Sequence, residues 1–167
     1  INGDGKDDMF FYNSTHVFVL YGNSTFNGWF NKDIRVVANV TWNISSSSFS
    51  KTMGSYSYTD WAFASADINR DSWDDVIIGA NSHNKMLNVR GIQETYSGIG
   101  ETYMFYGSNN IDSGNAFEIS NASWYGETFS GSNSGSAVVA LLADNDTYTD
   151  ILVTSPKNDY SYTGSDI

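Results

Sequence analysis

The sequence has no cysteine, which excludes a disulfide scaffold and any thiolate metal site. Disulfides are common outside cells without being obligatory there, so this absence leaves the compartment open. Proline occurs once in 167 residues, which excludes a proline-rich linker. Basic residues are scarce: 8 Lys and Arg stand against 19 Asp and Glu, a formal net charge of −11. That balance argues against nucleic acid, whose phosphates need a basic face, and against docking on anionic lipid. No apolar run approaches the roughly 20 residues of a membrane helix, so no direct membrane insertion is expected. The chain opens neither on Met nor on a signal peptide; Ile1 runs straight into Asn2-Gly3-Asp4-Gly5-Lys6. A mature or cut piece of a longer protein is the expectation.

What is there can build a core. Hydrophobic residues make up 40% and aromatics 16%, too much for a disordered acidic tail. Asn, Ser, Thr and Tyr crowd the rest. Six Asn-x-Ser/Thr sequons occur, at Asn13, Asn23, Asn39, Asn43, Asn121 and Asn145. Chance alone gives about four at this composition, so their placement carries more than their number.

Periodicity predicts an all-β chain. Short apolar runs recur at Met9–Tyr12, Val17–Tyr21, Ile34–Val40, Val76–Ile78, Tyr103–Tyr106, Ala137–Leu142 and Ile151–Val153. They are rich in Val, Ile, Tyr and Phe and bounded by Gly, Asn, Asp and Ser, as strands are. No stretch holds a helical apolar stripe for ten residues; Gln93–Ser97 is the one exception in kind, and it is too short.

An internal repeat organises these runs. Asn2-Gly-Asp4-Gly-Lys-Asp-Asp8 before Met-Phe-Phe-Tyr matches Asn69-Arg-Asp71-Ser-Trp-Asp-Asp75 before Val-Ile-Ile-Gly. Val17–Gly22 matches Thr102–Gly107, both ending in Tyr-Gly, and Ala38–Trp42 matches Ser120–Trp124. A third copy starts at Ala137 and runs through Asp144, Asp146 and Asp150 to Pro156. Each copy reads strand, acidic loop, strand, loop, strand, loop, strand, and four short antiparallel strands per repeat is the unit of a β-propeller blade. Residues 1–167 are expected to hold about two and a half blades of one propeller domain. Propellers need four to eight blades, so an incomplete ring is expected.

The acidic loops, 2–8, 67–75 and 144–150, are the candidate site. In the second, Asp67, Asn69, Asp71 and Asp75 place oxygen side chains at positions 1, 3, 5 and 9, and Trp73 offers its carbonyl at 7. Ca²⁺ takes six to eight oxygens, and this spacing can wrap it. The first loop keeps Asn2, Asp4 and Asp8, with the Lys6 carbonyl at 7. These are not EF-hands, since position 12 falls on Ile78 inside an expected strand. Solvated Asp/Asn turns are the bland alternative; two loops with the same odd spacing favour the metal. Asp7 and Asp74 at position 8 are expected to point away from the cation. In the third loop Asp144, Asp146 and Asp150 form a weaker candidate, because the loop from Asp144 is about two residues short and counting back from Asp150 puts Leu142 at position 1.

These loops and the strands behind them, Asp67–Asp75 with Val76-Ile-Ile-Gly79-Ala80-Asn81, Asn2–Asp8 and Ile151–Pro156, resemble the FG-GAP repeats of integrin α-chain propellers. Trp61-Ala-Phe63 and Gly135-Ser-Ala137 stand where the Phe-Gly part belongs, and Gly-Ala-Pro is Gly79-Ala80-Asn81 or Thr154-Ser155-Pro156. The resemblance implies a propeller with Ca²⁺ in loops on one face and a role at the cell surface. No Arg-Gly-Asp sequence is present.

Other chemistry is weak. His16 and His83 are isolated and lack zinc-site spacing. Gly131–Gly135 has Asn133 where a nucleophile elbow needs Ser, and Gly98-Ile-Gly100 lacks a third glycine. Asp74 and Asp75 are adjacent on a strand and so face opposite ways, unlike a hydrolase pair. The aromatic load suits a core better than a sugar platform, with Tyr56, Tyr58, Tyr160 and Tyr162 as contact candidates. The expectation is a non-enzymatic, extracellular, N-glycosylated, calcium-binding structural or adhesion module, of a secreted or cell-surface protein that can form filaments. Its partners would be the remaining blades of the same chain or neighbouring copies. The alternative is part of a secreted propeller enzyme or lectin with its site elsewhere.

Overall fold

The computed structural model describes residues 1–13, 15–22, 31–44, 61–126, 131–144 and 146–156. Tyr56, Tyr58, Tyr160, Tyr162, Asn23 and Asn145 lie outside them. The β-rich runs form strands in small antiparallel sheets, and among the described residues these sheets do not close on one another. Sheet one holds β1 (Met9–Tyr12), β2 (His16–Leu20), β3 (Val40–Asn43) and β9 (Gly114–Asn115) in that order. Sheet two is a four-strand meander of β4 (Trp61–Ala66), β5 (Asp75–Ala80), β8 (Glu101–Phe105) and β10 (Ala122–Tyr125). Sheet three pairs β11 (Val138–Leu141) with β12 (Asp150–Val153). Between β5 and β8 the chain inserts a hairpin, β6 (Lys85–Val89) and β7 (Ile92–Tyr96).

The registers repeat. Met9 faces Leu20 as Val76 faces Phe105. Val19 faces Val40 as Met104 faces Ala122. Ser65 faces Val76 as Ala140 faces Ile151. The sequence repeat is therefore a repeat of strand pairing, residue by residue.

Alternation then sorts side chains between two cores. Val17, Val19, Val40 and Trp42 of sheet one pack on Val76, Ile78, Tyr103 and Phe105 of sheet two. On the far side of sheet two, Ile77 and Met104 pack on Val138 of sheet three, with Ala140, Ile151 and Val153 around them. Covered on both faces, β5 is buried at all six positions, which is why its sequence is a continuous apolar run rather than an alternating one. Trp42 stacks on Phe105, centroids 4.0 Å apart and planes within 7°. Sheets one and two are also joined by backbone: β9 pairs in parallel with β3, Trp42 opposite Gly114.

One expected element differs. Ile34–Val40 reads as one strand, but Ile34–Val37 is a helical turn, α1, and only Val40 enters β3. The cause is Asp33, whose side chain accepts from Arg35 N and caps the turn, overriding the β preference of Ile and Val. The repeat equivalent is α2 (Ala116–Ile119), capped by Asn115. Gln93–Ser97, too short for a helix on its sequence, lies in strand β7 as far as Tyr96. Its hairpin turns at Arg90 and Gly91, both left-handed at φ 54° and 86°, as a two-residue turn of mirror-image hand requires.

Candidate functional site

The three acidic loops lie in a row at one end of the sheets. Ser108 N, in the segment after β8, donates to Ile1 O at 3.1 Å, and the Trp73 ring lies against Gly3. Thr149 Oγ1 donates to Asp67 O at 3.1 Å, and the Arg70 guanidinium stands 4.9 Å over the Tyr148 ring. Loop one thus touches loop two, and loop two touches loop three.

Each loop is wound by its own odd-position side chains. Asp71 N donates to Asn69 Oδ1 at 3.0 Å and Trp73 N to Asp71 Oδ1 at 2.9 Å. The same step occurs from Asp4 N to Asn2 and from Lys6 N to Asp4, and again from Asp146 N to Asp144 and from Tyr148 N to Asp146. These are Asx turns, the geometry that short acidic side chains favour. The frame of the third loop is therefore the one counted back from Asp150, with Leu142 at position 1. In loop two, Asp67 also accepts from Asp71 N and Ser72 N, at 3.1 and 2.9 Å.

The last Asp of each loop is a staple rather than a surface group. Asp75 is fully buried. Its Oδ2 accepts from Ile68 N at 2.9 Å and its Oδ1 from Gly107 N at 2.9 Å. Asp8 does the same with the Ile1 nitrogen and Gly22 N; Asp150 Oδ2 accepts from Ala143 N at 2.7 Å. Burial pushes the Asp75 carboxyl above the usual carboxylate range, while the Gly107, Ile68 and Asn69 N–H groups pull it back down. The Tyr-Gly strand ends now have a reason. A Cβ at Gly22 would stand 2.4 Å from the Asp7 carbonyl oxygen, and at Gly107 2.5 Å from that of Asp74. Only glycine lets the strand end come close enough to reach the staple. Asp7 and Asp74 themselves are exposed.

Loops one and two share a left-handed backbone at positions 4 and 6: Gly3 and Gly5 at φ 70° and 74°, Arg70 and Ser72 at 63° and 72°. In loop three, Thr147 at position 6 is not left-handed. Calcium loops of other kinds need such a turn at position 6. Asp67, Asn69, Asp71, the Trp73 carbonyl and Asp75 are hard oxygen donors, and an Asx oxygen that accepts one N–H keeps a second lone pair. The donor set and its frame suit a hard cation. Among the described residues, no three His, Cys, Asp or Glu side chains stand grouped closely enough to hold a metal.

The side chains at positions 4 and 6 give a direct test of the frame. A non-glycine residue held left-handed costs about 1–2 kcal/mol. Ser72→Gly, which keeps the N–H to Asp67, should raise folding stability by about 1 kcal/mol. Ser72→Ala should bring no gain. Urea unfolding of both variants checks it.

Four sequon asparagines are in view. Asn39 and Asn121 are exposed and occupy equivalent sites. Their Oδ1 atoms accept from Tyr21 N at 2.8 Å and Tyr106 N at 2.7 Å, so the recurrence of Asn here has a structural cause. Asn13 is exposed and closes the β1–β2 turn by accepting from Thr15 N and His16 N. Asn43 is half-buried inside β3, between His16 of β2 and Asn115 of β9.

A second polar cluster escapes sequence reasoning. Glu101, fully buried at the start of β8, takes Lys85 Nζ at 2.6 Å and Tyr103 OH at 3.0 Å. His83 Nδ1 lies 2.8 Å from the same hydroxyl. Burial lowers the His83 pKa, and burial with the Glu101 charge raises that of Tyr103. Lys85 also sits over the Phe117 and Tyr125 rings, at 4.7 and 5.4 Å. The signal available was a Glu opening an apolar strand with a Lys on the preceding hairpin.

No protein-family model matches the chain, and no curated protein matches it significantly. Among the described residues, no helix is long and apolar enough to cross a membrane.

Proposed function

We propose that the chain is a run of FG-GAP-type propeller blades serving as an extracellular structural or adhesion module whose loop end is stiffened by Ca²⁺. The observation that carries this is the doubled staple: Asp8 with Gly22 and Asp75 with Gly107, each beside an Asn that ties the adjoining tyrosine. Both copies of the repeat keep the same acidic loop, the same left-handed positions and the same anchor to the third strand. Such regularity supports one function exercised by each loop, and hard oxygen donors at odd spacing support a divalent cation. Asp67, Asn69, Asp71, Trp73 and Asp75 form the main site, with Asn2, Asp4, Lys6 and Asp8 as its counterpart. N-glycans on exposed Asn39 and Asn121 are compatible with the ties, because glycosylation uses Nδ2 and leaves Oδ1 as the acceptor.

Titration calorimetry tests the cation. The chain should bind Ca²⁺ in the millimolar-to-micromolar range. Asp71→Ala should weaken binding at loop two at least tenfold while leaving the fold intact, since Asp71 is exposed. Equal heats from both proteins would remove the metal from the proposal.

A further inference from the structure

A cavity of about 190 Å³ opens beside a sequon, between Trp42 of sheet one and the chain that runs from β8 to β10. Trp42 and Phe105 are buried at its floor with half-buried Ile111 and Ile119, and exposed Tyr106, Asp112 and Asn121 stand at its mouth. The described residues form it by themselves; neither outer face of the row of sheets takes part. A cavity of about 150 Å³ admits a benzene ring, so this one has room for a six-membered sugar ring.

The lining selects the occupant. The floor is aromatic and aliphatic, the mouth carries a phenol, a carboxylate and an amide, and no Lys or Arg lines it. That disfavours an anion and suits a neutral ring with an apolar side and a polar edge. Asn121 opens the sequon Asn121-Ala122-Ser123. Its Oδ1 accepts from Tyr106 N at 2.7 Å, which holds the amide, while its Nδ2 donates to nothing among the described residues. Nδ2 is the atom that carries an N-linked sugar, so such a sugar starts at the mouth of the cavity. The tether gives it a high effective concentration there, and a weak contact suffices.

We infer that the first N-acetylglucosamine of a glycan on Asn121 seats in this cavity and becomes part of the joint between sheets one and two. The inference rests on the extracellular, glycosylated reading given above and deepens it: this sugar is a packed component rather than a free outer coat.

Native deglycosylation of the protein secreted from a glycosylating host tests it. A peptide N-glycosidase cuts the bond between Asn121 and the sugar, and a seated sugar must first leave the cavity. Each released Asn becomes Asp, which site-resolved mass spectrometry reads. Release at Asn121 should be about tenfold slower than in the Tyr106→Ala variant, because the seated form must open before it is cut. The Tyr106 side chain is 39% exposed and the tie to Asn121 uses its backbone, so the change opens the mouth while keeping the tie and the fold. After denaturation the two proteins should release this glycan equally fast. Equal rates from the two native proteins overturn the seating and leave the glycosylated reading standing. An unmodified Asn121 in the same spectra overturns the glycan at this site and the seating with it.

Discussion

Replacing Lys85 by Met should cost about 3–5 kcal/mol of folding stability, because it strands a buried charge. Glu101 has no exposed surface and reaches Lys85 Nζ at 2.6 Å. Without that ammonium the carboxylate keeps only hydroxyl and imidazole neighbours in a site shut off from water. Removing both charges tests the cause: Lys85→Met with Glu101→Leu should recover most of the loss, since apolar residues can replace a buried ion pair at little cost. Urea unfolding of the two single variants and the double completes the cycle. A single-variant loss within about 0.5 kcal/mol, the range of ordinary surface changes, would mean that the pair is solvated.

The second large effect separates two tryptophans that the sequence presents as equals. Trp42 and Trp124 hold the same place in the repeat. Trp42 is fully buried, stacks on Phe105 and donates from Nε1 to Asp112 O at 3.0 Å. Trp124 is 44% exposed. Trp42→Ala should therefore lose about 3–5 kcal/mol, the usual cost of emptying an aromatic core site. Trp124→Ala should stay near the 0.5 kcal/mol typical of surface changes. Comparable losses at both sites would show that sheet three shields Trp124 as sheet two shields Trp42.

The repeat was legible in the sequence because each of its marks performs a hydrogen-bonding task. Asp75 needs Gly107, and Asn121 needs the backbone of Tyr106, so loop, strand end and sequon recur together. The continuous run Val76–Ile78 was legible as a strand, while its cover on both faces shows only in the packing. What failed to show was anything decided between segments. Ile34–Val37 has strand composition, and only the cap at Asp33 makes it turn. The parallel pairing of β9 with β3 joins residues far apart in sequence and leaves no periodic trace. The Glu101 cluster draws on an inserted hairpin that sheet one does not share. The acidic spacing named the candidate ligands, but their Asx turns and the burial of Asp75 are set by backbone geometry that composition does not encode.

The staple also closes spans of different length in the two copies. Asp75 and Gly107 are 32 residues apart, whereas Asp8 and Gly22 are separated by 14. Loop closure costs more entropy as the intervening chain lengthens, and the β6–β7 hairpin lies inside the longer span. Loop two is anchored where β8 returns to β5. Loop one is anchored just past β2. The two loops share a design, but the anchor of loop two closes the longer span and costs more chain entropy, by about 0.7 kcal/mol from the ratio of the two spans.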